Sequence, residues 1–394
     1  LFEESYGHQL NTWNFRRLLA QKYDVVVTNP PYMGSSGMGA VLSEFVKKRF
    51  PDSKSDLFAC FIERCGSLAC EGGYQAMITQ HSWMFLSSFE KLRDKLLRTV
   101  DIENMAHLGA RAFDEIGGEV VQTTSFVFRR HRTEHSKGVY CRLIEPTTQQ
   151  GKEEMFLAGE NRYAADQSNF SKIPGSPVAY WVSQNIFLVF KNGIQLASVG
   201  VPRQGMATAD NNRFVRKWYE PNIKKVATTY QTTKRWYPYN NGGGFRRWYG
   251  FNTDVVDWED SGKAIKAFPK AYVRNEKDYF KSGITWNAIT TKDISVRYFD
   301  TGFIFSNAGM AIFSDEKTLM LILAFINSTV AKSILSILCP TMNFNAGDIS
   351  HLPLVFCSNM NDALVYIVKD CVILSKSNWD SYETSWDFKK HPLI

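Results

Sequence analysis

Asn29-Pro30-Pro31-Tyr32 is the tetrapeptide of this chain whose residue types and order could do chemistry. An exocyclic amino nitrogen, as on adenine, is a poor nucleophile because its lone pair is delocalised into the ring. The side-chain carbonyl of Asn29 and the backbone carbonyl of Pro30 can accept its two N–H hydrogen bonds. Held in that way, the nitrogen favours pyramidal geometry and its lone pair is aimed at an electrophilic methyl. The prolines fix φ and stiffen the loop, and Pro30 still has a carbonyl to offer. Tyr32 presents a flat face on which a base taken out of a duplex can stack. The plain alternative is a Pro-Pro strand terminator followed by a packed tyrosine. This chemistry requires no metal, and no metal site is expected. Cys60, Cys65 and Cys70 are spaced unlike paired zinc ligands. His131 and His135 lie among Arg129, Arg130 and Arg132 with no cysteine pair nearby.

The elements that must position the tetrapeptide can be read from periodicity. Residues 12–22 read as a helix and 24–28 (DVVVT) as a short β-branched strand ending at Asn29. Continuous apolar strands are usually central and parallel, buried on both faces. Residues 56–70 read as a helix with Leu57, Phe61 and Leu68 near one face, 73–79 as a buried strand, and 88–98 as an amphipathic helix. Residues 102–108 and 120–129 form a strand pair around a loop containing Phe113 and Gly117-Gly118. The pattern predicts half of an α/β sheet over residues 1–135. The polar stretch 136–175 is expected to be a linker and 176–394 a mixed α+β domain of open topology. In that domain 186–190 and 303–305 read as strands, 240–244 as a turn, and 318–338 as one helix. No internal repeat or low-complexity tract appears.

Composition sets the class. With 394 residues, 44% of them hydrophobic and 22% charged, the chain is expected to be globular and to hold more than one domain. No apolar run reaches membrane-spanning length: 318–338 is interrupted by Asn327, Ser328 and Lys332. The first residues lack the basic start and apolar core of a signal peptide. Seven scattered cysteines and these absences point to a reduced, cytoplasmic protein without a membrane partner. The formal net charge is +7, but residues 203–250 alone carry ten Lys/Arg against Asp210 and Glu220, so the remainder stands at −1. Ten aromatic residues share that window, Tyr230 and Phe245 among them. Clustered cations beside aromatics are what a phosphate-tracking surface needs, which makes Arg203, Arg213, Arg216, Lys217, Lys234, Arg235, Arg246 and Arg247 candidate DNA contacts. The plain alternative is a solvated basic face over an aromatic core.

These stretches carry a resemblance. DVVVTNPPYMG, SDLFACFIERC, EGGYQAMITQHSWMF, LRDKLL and AFDEIGGEVVQTTSFVF, then RQGMATADNNRFVR, KRWYPYNNGGGFRRWYGFN and FINSTVAKSILSILCPTMNFNAGDISHLPL, follow one family order. The chain resembles the gamma-type adenine-N6 DNA methyltransferases. It is most similar to the large enzymes of bacterial BREX phage-resistance systems (PglX type) and to related fused restriction–modification enzymes. The resemblance implies the C-terminal half of a Rossmann-like class I methyltransferase sheet followed by a target-recognition domain. It implies S-adenosyl-L-methionine as methyl donor and double-stranded DNA as partner, with other phage-defence subunits possible partners as well. Asn29, Pro30, Pro31 and Tyr32 would then hold and stack the target adenine, and Phe113 would support it from the other side. Asp56, Leu57 and Phe58 would pack near cofactor and base, with Asn29 and Asp56 as cofactor contacts. The family's Gly-rich cofactor strand–turn lies upstream of its NPPY strand. Only 28 residues precede Asn29, with Gly7 their one glycine. The expectation is therefore a fragment, or one half of a split enzyme, inactive alone. Two other readings stay open: a catalytically silent DNA-recognition subunit of a defence complex, and a methyltransferase for protein glutamine or RNA.

Overall fold

The computed structural model describes residues 2–113, 121–227, 234–290, 293–340, 343–355, 361–391 and 393–394. Gly117-Gly118 and Tyr230 lie outside these. The chain divides into two units, Leu1–Phe187 and Leu188–Ile394.

In the first unit the apolar runs become α1 (Phe2–Ala20), β1 (Tyr23–Thr28), α2 (Ala40–Arg49), α3 (Leu57–Leu68), β2 (Ala69–Gln80), α4 (Glu90–Thr99), β3 (Asp101–Gly109) and β4 (Thr123–Arg129). β5 (Lys137–Arg142), α5 (Gln149–Leu157) and β6 (Arg162–Asp166) follow. The six strands form one mixed sheet in the order β1-β2-β4-β3-β5-β6. β1 and β2 are parallel, β4 runs antiparallel to both β2 and β3, β5 is parallel to β3, and β6 is antiparallel to β5. α3 and α4 cover one face. Phe58 and Ile62 from α3, and Leu92 and Leu96 from α4, share a core with Met77, Met105, Phe126 and Phe128 of the sheet. Each such side chain contributes about 1.5–3 kcal/mol by leaving water.

Two expectations change here. The segment 136–175 is not a linker: it supplies β5 and β6, and the carbonyl of Gly175 accepts from the guanidinium of Arg93 at 2.6 and 2.9 Å. Arg93 is buried and also donates to the carbonyls of Trp83 and Leu86, at 2.9 and 2.6 Å. A buried charge needs such partners. The polarity that suggested a linker belongs to strands near the sheet edge and to the exposed side of α5. β1, expected to be central, is an edge strand, with Val25 56% and Val27 71% exposed. Of its three valines only Val26 packs against the core, because β1 has a single neighbour among the described residues.

The second unit holds two four-stranded sheets. One orders Ile304–Phe305, Trp236–Asn240, Asp254–Asp257 and Val215–Lys217; the other orders Val296–Phe299, Gly283–Asn287, Gly309–Phe313 and Val201–Arg203. Residues 186–190, expected as a strand, lie in a helix, Gln184–Asn192, which buries Phe187 and exposes Leu188. Periodicity cannot separate helix from strand in so short an apolar run. The single helix expected over 318–338 is two, Glu316–Ile326 and Thr329–Leu338, bent by 76°. Ser328 causes the break by capping the second, its hydroxyl accepting from the Ala331 amide at 3.1 Å. Among the described residues no single helix is long and apolar enough to cross a membrane.

Candidate functional site

Because β1, β2 and β3 run in one direction, their C-terminal ends share an edge of the sheet, the place where open α/β sheets bind ligands. Asn29 leaves that edge directly after β1. Its side chain is exposed and hydrogen-bonds no other described residue. Pro30 is buried and Pro31 exposed. Tyr32 is half-buried, its ring edge-on to Phe58 at 6.1 Å. The Tyr32 hydroxyl is buried without a partner among the described residues, and burial pushes its pKa up, so it stays a neutral donor.

The exit of the loop is pinned by Asp56. Its Oδ1 accepts from the amides of Met33 at 3.0 Å and Phe58 at 3.3 Å, capping α3 while holding the chain just past Tyr32. The Leu57 amide donates to the Met33 carbonyl at 3.0 Å, and the Ser35 amide to the Ser55 carbonyl at 3.0 Å. Burial pushes the Asp56 carboxyl up, opposed by the backbone amides of Met33, Phe58 and Leu57. An acid immediately before an apolar helix is a capping signal that the sequence did carry. Asp56 thus reaches the loop through backbone, with Oδ1 already committed.

Sequence reasoning missed a buried chain at the same sheet edge. His81, just after β2, meets His107 of β3, Nδ1 to Nε2 at 2.8 Å, and His107 Nδ1 meets the Tyr180 hydroxyl at 3.0 Å. Burial lowers both imidazoles, His81 to about 4, and His107 is lowered further by repulsion from His81, when that ring is protonated, and from Arg142 and Lys152. Both rings are neutral at pH 7. Tyr180 stacks on Tyr140 at 4.7 Å, and Phe85 and Trp181 flank the His107 ring. Phe113 is half-buried and ends the described part of the loop after β3. His131 and His135 each face a surface carboxylate, Glu71 and Asp166.

The eight basic candidates of the second unit differ in what they touch. Arg203 faces Asp278 at 3.7 Å, Lys217 pairs with Asp254 at 2.5 Å and Arg235 with Asp257 at 2.7 Å. Arg216 donates to the carbonyl of Val215 and Lys234 to that of Lys224. Arg213 lies over Phe214 and Phe268. Arg246 is turned inward, donating to the carbonyl of Tyr249 at 2.8 Å and to Asn378 Oδ1 at 2.8 Å, over the Trp379 ring. Burial lowers its pKa, and its guanidinium holds the loop to the helix Asn361–Asp380. Arg247 is exposed, its guanidinium over the Phe245 ring at 5.5 Å.

Residues 2–113 match the model of the Eco57I restriction-modification methylase family. The chain is similar to the adenine-specific methyltransferase PglX of Lacticaseibacillus casei (strain Zhang), 41% identical over 411 residues, 98% of this chain and 34% of that protein. The adenine-specific methyltransferase BrxX of Escherichia coli O9:H4 (strain HS) is 39% identical over 383 residues, 96% of this chain and 31% of that protein. The chain therefore spans about a third of the length of these relatives. Among solved structures, the Type IIL restriction-modification enzyme MmeI in complex with DNA matches at TM-score 0.60 and 14% identity, over 92% of this chain and 50% of that one. The ATP-dependent Type ISP restriction-modification enzyme LlaBIII bound to DNA matches at 0.56 and 12%, over 93% and 30%. The fold is that of the restriction–modification methyltransferases.

Proposed function

The chain is a homologue of the adenine-specific methyltransferases PglX and BrxX, and on that premise we propose that it handles the target base in site-specific DNA adenine-N6 methylation. The observation that carries the reading is the Asn29–Tyr32 loop at the C-terminal end of β1, with the Asn29 side chain exposed and unengaged among the described residues and the half-buried Tyr32 ring backed edge-on by the buried Phe58. An adenine rotated out of the duplex stacks on Tyr32, with Phe113 on its other face. The Asn29 side-chain oxygen and the Pro30 carbonyl accept its two N6 hydrogens and hold the nitrogen pyramidal. Pro30 is buried, so its carbonyl is set by packing. S-adenosyl-L-methionine, the donor of the complete enzyme, supplies an electrophilic methyl. Asn29 fits a place beside it. Asp56 fits less well, since its Oδ1 already accepts two amides, and it acts as a positioning residue for the loop.

The second unit binds the duplex, and phage defence by BREX or restriction–modification is the setting that the relatives favour. Mass spectrometry on cells expressing the full-length protein, wild-type or Asn29→Ala, tests the acceptor. N6-methyladenine in DNA with wild type and its loss in the variant are expected. N-methylglutamine in protein, methylated RNA bases, or no new methylation at all would sink the reading in favour of the other enzyme class or a silent recognition subunit.

A further inference from the structure

The hairpin joining Trp236–Asn240 to Asp254–Asp257 is closed by a long loop that is held from beneath at several points. Asn287 donates to the carbonyls of Gly243 and Gly244 at 2.5 and 3.3 Å. Arg297, 2% exposed, donates to the Gly244 carbonyl at 3.3 Å and to Asn287 Oδ1 at 3.0 Å. Trp248 is stitched to the neighbouring strand: its amide donates to the Val296 carbonyl at 3.0 Å, and its carbonyl accepts from the Tyr298 amide at 2.8 Å. Gly243 sits at φ +146, and a Cβ there would meet Phe251 at 2.9 Å. A buried guanidinium spent on loop carbonyls, together with left-handed backbone at Trp248 (φ 74) and Phe251 (φ 63), marks a conformation that the surroundings over-determine.

What this frame presents outward is Phe245, 47% exposed, and Arg247, whose carbonyl is held by the Tyr249 amide and the Ser375 hydroxyl while its guanidinium has no hydrogen-bond or ion-pair partner among the described residues. A phosphate contact tolerates a mobile cation. A base-edge contact requires a planar donor fork held in one orientation, and Arg bidentate to guanine O6 and N7 is the commonest such contact. Stacking over Phe245 limits the rotation of the guanidinium, and the braced loop fixes where the pair stands. We propose that this loop is a base-reading element in which Arg247, backed by Phe245, reads a guanine in the duplex. The inference rests on the reading that the second unit binds DNA.

The test selects duplexes from a pool with a randomised core, using the full-length protein as wild type, Arg247→Ala, Arg247→Lys and Phe245→Ala. Both residues are exposed, so the variants keep the fold. Wild type should enrich a motif holding a fixed guanine. Arg247→Ala and Arg247→Lys should each lose preference at that position by on the order of 10-fold or more, with the other positions retained. Phe245→Ala should weaken the same position. If Arg247→Lys restores the wild-type motif while Arg247→Ala only weakens binding uniformly and flattens its salt dependence, Arg247 is a phosphate contact and the proposal falls. Duplex binding with an unchanged motif in all variants overturns the loop's role but leaves DNA binding standing. No duplex binding by wild type overturns both.

Discussion

At the scale of single residues, the candidate site divides into groups proposed to meet the base and groups that hold the loop carrying them. Asn29 and Tyr32 were legible because their setting is local: two prolines and the end of a strand determine the backbone whatever surrounds them. Asp56 depends on a longer-range setting, a helix start that follows 23 residues after the loop it holds. The resemblance implies a place near cofactor and base, and what the structure adds is that Oδ1 of its carboxylate holds the loop through two amides. Asp56→Ala should cost about 1 kcal/mol of stability as a lost helix cap, and slow methyl transfer by the full-length protein without weakening duplex binding. Asp56→Asn, which can still accept, should recover most of both. Urea unfolding and a transfer assay on the two variants check this, and an Asn variant no better than Ala would leave the carboxylate with a role beyond capping.

The buried imidazoles allow a second residue-scale prediction. His81 titrates near 4 in the folded chain against an ordinary 6.5, and His107 is lowered as well, so below pH 6.5 the unfolded chain binds more protons than the folded one. Stability is therefore undiminished above pH 6.5 and falls as pH drops toward about 4, by about 1.4 kcal/mol per pKa unit of each shift. Urea midpoints between pH 7.5 and 4.5 should show that fall, and His81→Gln should reduce it. A flat profile in the wild type would mean that the pair is solvated.

Among elements, those carrying long periodic patterns were readable, and those that depend on neighbours were not. β2, α3, α4, β3 and β4 follow from sequence with boundaries off by a few residues. The helix Gln184–Asn192 was lost to a short apolar run, and the break at Ser328 to an unrecognised cap. β5 and β6 were hidden by polar residues that strands at and next to the sheet edge turn to solvent. Their membership of the sheet has a direct consequence. A fragment ending at residue 135 loses both strands and leaves Arg93 buried without the Gly175 carbonyl, a defect on the order of 3–5 kcal/mol. A fragment ending at residue 187 should melt cooperatively with near-ultraviolet dichroism, whereas one ending at 135 should show neither. Equal behaviour of the two would return 136–175 to the status of a linker.

For the whole molecule, charge singles out a candidate binding segment only coarsely. The +7 excess does lie in the second unit, within residues 203–250. Which of those cations are available could not be read from composition. Arg246 and Arg247 are adjacent in sequence, yet one is spent on Tyr249 and Asn378 and the other is exposed. The account assigns affinity to the second unit, through phosphate and base contacts, and chemistry to the loop at Asn29, which meets only an extruded base. These contributions should separate. The most direct measurement is single-turnover methyl transfer and equilibrium duplex binding on the same preparation of full-length protein, wild-type and Asn29→Ala. The account predicts that transfer to adenine N6 falls by roughly a thousandfold or more, as when a group acting only in the transition state is lost, while the duplex dissociation constant stays within a few-fold. Near-normal transfer by Asn29→Ala, or a loss of transfer matched by an equal loss of binding, would contradict it.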